Sequence, residues 1–432
     1  MTTESSRAGR VAVIGGCRTP FAKAGTLYRD LTAVDLAKVC VRELVERTEV
    51  APADVDTLVL GQVIPSIKAP NLAREVGLGT GLPASVPAHT LNRACASANQ
   101  AIAEVASEIL AGNAQVGIAG GAESLSDVPI LHSRGMRRAL MQASRARSLG
   151  ERLKAFSGVR PKDLVPESPA IAEPSTGLTM GQSAEKMAKE NRISREEQDR
   201  IAFLSHHRAA AAVDDGRLAA EISPVLVPPS YEVAATTDNL LRRDTTLEAL
   251  AALPPVFDRK HGTVTAGNSS PLTDGAAAVL LMSEDRARGE GREPLAFIRS
   301  WAVSAVDPGG QLLMGPGLAI PKALERAGLG LEDMDLIEMH EAFAAQVASN
   351  IQALESEAWA REKLGRTSPV GRVDRERLNV TGGSIALGHP FGATGARITT
   401  TLANEMKRRG SRYGLISVCA QGGMGFAMVL ER

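Results

Sequence analysis

The sequence predicts a layered α/β protein, and three observations carry that prediction. Apolar runs of strand length alternate with stretches of helical periodicity along most of the chain. Two distant segments, VGIAGGAE at Val116–Glu123 and ISVCAQGGMG at Ile416–Gly425, share a shape, a buried strand running into a glycine turn. That likeness hints at two related halves. Finally, 432 residues with 44% in the hydrophobic set supply two or three domain-sized cores rather than one.

In chain order, Val11–Gly16 reads as a buried strand. Val34–Val45 reads as a helix, with Leu36, Val39, Cys40 and Leu44 near helical spacing on one side. Thr57–Val63 is a second strand. Gly77-Leu78-Gly79-Thr80-Gly81 does not follow a strand at dinucleotide-binding spacing and reads as a loop. Pro87–Leu91 leads into a turn at Arg93–Cys95, and Ser97–Leu110 is a helix stopped at Gly112. Val116–Gly120 is a short strand.

The middle of the chain differs. Arg134–Lys162 holds nine Lys/Arg against one acid, Glu151, and Pro161, Pro166, Pro169 and Pro174 then interrupt the chain. Helices follow around Gly181–Asn191 and Arg195–Asp214, and Val225–Ser230 reads as a strand. This block looks inserted between two α/β halves. Beyond it, strands are predicted at Thr273–Met282 and Leu295–Ser304, and a helix at Ile320–Ala327. A strand at Asp335–Met339 runs into a helix near Glu341. Ala393–Arg408 is a helix behind a glycine-rich loop, and Tyr413–Cys419 and Gly425–Leu430 are the last strands.

Composition narrows the function. Forty-nine Lys+Arg balance forty-nine Asp+Glu, so net charge gives no basis for nucleic-acid binding. Aromatics at 3% offer few stacking platforms. Four cysteines at 17, 40, 95 and 419 form no CxxC pair, which argues against a zinc ribbon and suits a reducing compartment, the cytoplasm. The polar start carries no apolar core of signal-peptide length, and no run of 18 apolar residues suggests a membrane span. Walker, GxSxG and HExxH patterns are absent.

Four residues are candidates for chemistry. Cys95 is placed at a strand-to-helix turn, where a helix N-terminus stabilises a thiolate; the alternative is a small buried hydrophobe. His389 stands among five glycines just before a helix. There it serves either as a base near neutral pH or as an incidental histidine in a phosphate-binding loop. Cys419 ends an apolar strand ahead of a glycine turn, a position that also suits a structural cysteine. His340 lies at the end of a strand, where α/β sheets place ligand-facing groups, or else acts as a cap or core histidine.

Together these segments resemble the thiolase family. The likeness runs through CRTPF at Cys17–Phe21, LNRACASANQ at Leu91–Gln100, TVTAGNSSPLTDGAAAV at Thr263–Val279, HEAFAAQ at His340–Gln346, GGSIALGHPFGATG at Gly382–Gly395 and CAQGGMG at Cys419–Gly425. It implies the thiolase fold, two similar α/β halves in a five-layer αβαβα sandwich. The expected units are 1–125 completed by about 271–293, an inserted loop domain at 126–270 over the coenzyme A site, and 294–432. It further implies Cys95 as acyl-accepting nucleophile, His389 as base, Cys419 as second acid/base, and His340 holding a water. Backbone N–H groups of Cys95 and Gln421 would form an oxyanion site, and Arg242 and Ser270 would contact coenzyme A. Coenzyme A and acyl-CoA are then substrates, with no metal or redox cofactor needed. CASANQAI, SDVPILHSRGMRRAL and the His at 340 resemble the branch that includes the β subunit of the trifunctional fatty-acid oxidation complex. That branch implies cleavage of 3-ketoacyl-CoA in β-oxidation by a homodimer or dimer of dimers. It also implies that Arg134–Lys162 docks a hydratase/dehydrogenase α subunit or an anionic membrane. The alternatives are biosynthetic acetoacetyl-CoA formation, a condensing synthase, or a non-catalytic lipid carrier. Thr179 and Gln421 depart from the family pattern, where His and Gly are frequent.

Overall fold

The computed structural model describes residues 9–166 and 172–432; most of the polar start, and Pro169, lie outside them. The strands are β1 Val11–Arg18, β2 Ala22–Lys23, β3 Thr57–Gly61, β4 Ala88–Leu91, β5 Val116–Glu123, β6 Val225–Leu226, β7 Ala234–Ala235, β8 Thr273–Ser283, β9 Ala296–Ala305, β10 Leu336–Met339, β11 Tyr413–Ala420 and β12 Met424–Glu431. Ten of them form one hydrogen-bonded path, β10-β11-β12-β9-β1-β8-β5-β3-β4, with β2 attached to β8. The path narrows at one place, where β1 meets β9 only over Val11–Val13 and Ala296–Ile298.

On either side of that junction the pattern repeats. β1, β8 and β5 are antiparallel neighbours, and β3 and β4 continue parallel to β5. Likewise β9, β12 and β11 are antiparallel, β10 continues parallel to β11, and Leu378 bridges β10 in parallel. The chain visits the two sets in the same order. The resemblance of β5 to β11 visible in the sequence is thus one element of a duplicated topology.

Side-chain alternation sorts each strand into layers. In β8, Ala277, Val279 and Leu281 face a central core, while Ala278, Leu280 and Met282 face an outer one. In β12, Phe426, Met428 and Leu430 face the same central core, and Ala427 and Val429 face the opposite outer layer. Helices Ser97–Leu110 and Thr394–Arg409 fill the centre with Ile102, Val105, Ile398, Leu402 and Met406. Helix Ala33–Thr48 covers one outer face through Leu36, Cys40 and Leu44; helices Gly315–Ala327 and Ala344–Glu355 cover the other through Ile320, Leu324, Val347 and Ile351. Each such buried aliphatic side chain contributes about 1.5–3 kcal/mol. Cys40, on the inner stripe of its helix, is packing rather than chemistry.

Several boundaries move for identifiable reasons. The Gly77–Gly81 stretch is not all loop: Leu72–Gly79 is a helix, because Asn71 caps it and burial of Leu72, Ala73 and Val76 outweighs its glycines. The helix expected from Ile320 begins at Gly315, with Pro316 pre-set for its first turn. The helix expected near Glu341 starts at Ala344, because Phe343 stays extended and bridges to Ser269. The strand expected over Val225–Ser230 is only the two residues of β6. In the basic block, helices Arg134–Arg145 and Leu149–Ala155 pack as a pair. Among the described residues no helix is long and apolar enough to cross a membrane.

Candidate active site

Cys95 sits in the turn between β4 and the central helix Ser97–Leu110. Ala94 adopts a left-handed φ of 47°, a strained conformation for a residue with a Cβ. Three bonds hold it: Asn92 Oδ1 accepts from the Ala94 N–H at 2.8 Å, the Ser97 hydroxyl donates to the Ala94 carbonyl at 2.6 Å, and Ser97 Oγ accepts from the Arg93 N–H at 2.9 Å. The sulfur is thereby presented at the carboxyl end of a sheet strand. Backbone N–H groups of Gln421 and of Cys95 itself point toward it.

His389 occupies the matching place in the second half, between the segment at Leu378 and the central helix Thr394–Arg409. Gly388 turns the chain with φ of 102°, and a Cβ there would meet Leu240 Cδ1 at 2.5 Å and Thr273 Cγ2 at 2.7 Å. Only glycine fits both constraints. The His389 N–H donates to Thr273 Oγ1 at 3.1 Å. Thr394 settles the ring's tautomer. Its hydroxyl proton goes to the Pro390 carbonyl at 3.0 Å, so Oγ1 accepts from Nδ1–H of His389 at 2.6 Å. Nε2 is therefore a bare lone pair, buried and without a partner among the described residues.

His340 follows β10, its N–H donating to the Ser417 carbonyl at 2.8 Å. Asn379, itself at a φ of 46°, clasps the preceding residue through both the N–H and the carbonyl of Met339. His340 Nδ1 shares a hydrogen bond with Ser384 Oγ at 2.9 Å, and Ser384 also accepts from Arg397 at 2.9 Å. Its Nε2 is likewise buried and unpartnered. The two imidazole rings lie 4.1 Å apart, and the donor atoms of Cys95, His340 and His389 all fall within 4.8 Å of one another. Cys419, buried near the end of β11, is close enough to Cys95 for each negative charge to oppose the other.

Burial dominates the electrostatics. It pushes the Cys95 thiol up to about 12, although the Gln421 and Cys95 N–H groups pull it back. The pull of these N–H groups has the direction that a position just before helix Ser97–Leu110 implies, and burial opposes it. Burial lowers His389 to about 3, with Arg397 adding to the effect, and lowers His340 in the same direction. Cys419 is raised by burial and by Cys95. These directions favour neutral thiols and neutral imidazoles in the resting site. A thiolate can arise when His389 Nε2 takes the proton as a new bond forms at sulfur.

The remaining sequence candidates divide. Ser270 is half-buried, its N–H donating to the Ala342 carbonyl at 2.9 Å, two residues from the bridge between Leu272 and His389. Arg242 has an exposed side chain beyond Leu240, which packs over Gly388; its backbone N–H donates to His206 Nδ1 at 3.2 Å. Gln421 turns its side chain away from the sulfur to donate to the Ala172 carbonyl at 2.9 Å. Thr179 caps helix Met180–Glu190. A 560 Å³ cleft beside Cys95 has walls at Ile64, Asn92, Ala94, Phe391 and Gln421. A separate 520 Å³ cavity near Glu341 and Arg208 does not reach the sulfur.

Four residues escaped the sequence reading. Thr394 and Ser384 orient the imidazoles, and Arg397 braces Ser384. Glu123 is fully buried at the end of β5, where its carboxylate accepts from the N–H groups of Val63, Ile64 and Gly392 at 3.0, 3.0 and 3.1 Å. An acid closing an otherwise apolar run was the available signal for Glu123. The hydroxyls carried none.

Family models separate two regions of the chain. Residues 11–285 match the thiolase N-terminal domain and residues 292–432 the thiolase C-terminal domain. This chain belongs to the thiolase family. It is 52% identical over 422 residues to a 3-ketoacyl-CoA thiolase of Serratia proteamaculans and 51% identical to one of Escherichia fergusonii, covering 98% of this chain and 97% of each relative. Among solved thiolase structures, human mitochondrial 3-ketoacyl-CoA thiolase matches with a TM-score of 0.83 at 36% identity, over 98% of this chain and 99% of that one. An acetyl-CoA acetyltransferase of Bacillus anthracis matches with a TM-score of 0.84 at 35% identity, over the same shares.

Proposed function

We propose that this thiolase cleaves 3-ketoacyl-CoA with coenzyme A, giving acetyl-CoA and a shortened acyl-CoA through an acyl group on Cys95. The observation that carries the proposal is the convergence of Cys95, His340 and His389 within 4.8 Å, with two unpartnered imidazole nitrogens and two backbone N–H groups aimed at one sulfur. Cys95 attacks the 3-keto carbon as its proton passes to His389 Nε2. The N–H groups of Cys95 and Gln421 hold the resulting oxyanion, each such donor lowering the barrier by about 3 kcal/mol. The C2–C3 bond breaks, and Cys419 protonates the departing carbanion of acetyl-CoA. His389, with a water held by His340, supports the enolate-like thioester oxygen. Coenzyme A then gives up its thiol proton and takes the acyl group from Cys95. These steps use cysteine, histidine and backbone groups alone.

The 52% identity to a 3-ketoacyl-CoA thiolase favours degradation over acetoacetyl-CoA synthesis. The same residues catalyse both directions, so the synthetic reading stays as the rival. The paired cysteines oppose a condensing synthase, and the intact site opposes a lipid carrier. A series of 3-ketoacyl-CoA chain lengths with mass spectrometry of the trapped protein tests the assignment. Each acyl mass is expected on the peptide bearing Cys95 and on none in Cys95→Ala. Labelling elsewhere, or undiminished acetyl-CoA release by that variant, overturns it. Turnover of acetoacetyl-CoA alone selects the rival.

We assign coenzyme A contact to Ser270, beside the His389 bridge, and to Arg242, whose exposed charge suits phosphate, with residues 126–270 as the cover over that site. A homodimer or dimer of dimers suits the free outer edge of β4. Free thiols at all four cysteines suit a cytoplasmic setting. The basic helix pair exposes Met141, Leu149 and Leu153 within the stretch Arg134–Lys162 that holds nine Lys/Arg, which supports docking to an α subunit or an anionic membrane. Unchanged pull-down and vesicle binding after neutralising Arg137, Arg138 and Arg145 removes that assignment.

A further inference from the structure

Cys95, His340 and His389, besides their proposed part in acyl transfer, bring one sulfur and two imidazole nitrogens together as a metal-ligand set does. Each imidazole turns Nε2 inward and binds a hydroxyl through Nδ1, Thr394 at 2.6 Å and Ser384 at 2.9 Å. Metal-ligating histidines are held in this way, with the second ring nitrogen fixed by a hydrogen-bond partner so that the first presents its lone pair. Both Nε2 atoms are buried and have no partner among the described residues, His340 and His389 being 1% and 3% exposed. A tetrahedral Zn²⁺ site with Zn–N near 2.0–2.1 Å and Zn–S near 2.3 Å needs donor atoms about 3.4–3.6 Å apart. The donors here lie within 4.8 Å.

We propose that these three residues form an inhibitory site for a borderline-soft divalent cation, Zn²⁺ above all. The Cys95 sulfur loses its proton to solvent and forms the Zn–S bond, Nε2 of His389 and Nε2 of His340, the latter as the Nδ1–H tautomer, complete three positions, and the fourth is left for a water or an external thiol. No electrons change hands. The donor set of one sulfur and two nitrogens selects against Mg²⁺ and Ca²⁺, which require oxygen ligands. The cation takes no part in turnover. It occupies the nucleophile and the base together, so thiolysis stops while it is bound and resumes when it is removed.

Binding is read without turnover. Metal-free enzyme titrated with Zn²⁺ against a chelating dye is expected to take up one equivalent at low-micromolar free metal, weakened at least tenfold in Cys95→Ala and in His340→Ala. With Co²⁺ as the probe, a thiolate-to-metal charge-transfer band is expected in the wild type and not in Cys95→Ala; Mg²⁺ gives neither uptake nor competition. Should the variants fail to fold, wild-type enzyme alkylated at Cys95 with iodoacetamide serves instead and is expected to lose the equivalent. Thiolysis should fall in proportion to occupancy and recover with EDTA. Uptake that survives alkylation unchanged, a Co²⁺ complex without the thiolate band, or no uptake at micromolar Zn²⁺ overturns the proposal. The proposed acyl transfer is left standing by any of these results, because none of them bears on the acyl-enzyme.

Discussion

Thr394 stands five residues beyond His389, and the single proton of its hydroxyl is already donated to the Pro390 carbonyl. What remains is an acceptor, which fixes the proton of His389 on Nδ1 and frees Nε2 for Cys95. Thr394→Val keeps the shape and removes the acceptor, leaving a buried N–H unpaired at a cost of about 1–3 kcal/mol. We expect kcat for thiolysis to fall roughly 10- to 100-fold with little change in KM, and Thr394→Ser to restore most of it. A fall carried by KM alone would show that the hydroxyl does not act through the base. The pH dependence also belongs to single residues. The Cys95 pKa lies above its ordinary value, at about 12, so the thiol stays protonated up to that region. The His389 pKa lies below its ordinary value, at about 3, so the imidazole stays neutral above that region. Neither group changes charge between about pH 5 and about pH 9, so kcat/KM should carry no ionisation from this pair there. Thiolate absorbance rising in that range, and lost in Cys95→Ala, would show a resting ion pair instead.

At the scale of elements, the loop before the last central helix is held by sterics. Gly388 combines a φ of 102° with Leu240 and Thr273 pressed against the place of a Cβ. Gly388→Ala should lower the apparent Tm by a few degrees and kcat at least tenfold, because the strain is relieved by moving His389. Gly410→Ala makes the comparison. Gly410 caps the same helix at a φ of 67° with open space around it, so the substitution should lower stability by about 1 kcal/mol and leave turnover near wild type. Thermal melts and steady-state rates on the two variants separate backbone strain from displacement of the base. The turn after β11 has a different anchor. Gln421 bonds Ala172, and the Gly422 N–H donates to Glu173 Oε2 at 3.0 Å, so the inserted block is tied to the turn that carries the N–H proposed as an oxyanion donor.

Across the whole molecule, one buried ionic cluster joins the first half to the insert. Arg18, at the end of β1, meets Glu221 at 2.7 Å and Asp238 at 2.6 Å, all with side chains at most 2% exposed. Thr401, on the second central helix, donates to the same Glu221 at 2.9 Å. Both acids come from the insert and Arg18 from the sheet, so these contacts fix where the cover sits. Arg18→Ala leaves two carboxylates buried without their cation, at a cost of about 3–5 kcal/mol. A urea midpoint that barely moves would show that the acids find other partners or protonate freely.

Much of this molecule could be read from the order of its residues. The unbroken apolar runs at β8, β11 and β12, buried on both faces, and the helical stripe at Leu36, Cys40 and Leu44 dictate element type, because those surfaces must leave water. The motifs around Cys95, His389 and Cys419 identify the family, because they recur in its order along the chain and the family models match over the same residues. What only the tertiary structure decided is the state and coupling of those groups. That the surroundings of Cys95 push its thiol up follows from desolvation, which no local pattern encodes. That His389 presents Nε2 to the pocket follows from the hydroxyl of Thr394, five residues further on. Three potential metal donors at 95, 340 and 389 show no ligand spacing along the chain, since they arrive from three separate loops. Local propensity acts over a few residues, whereas desolvation and donor geometry are set by every chain segment that packs around the pocket.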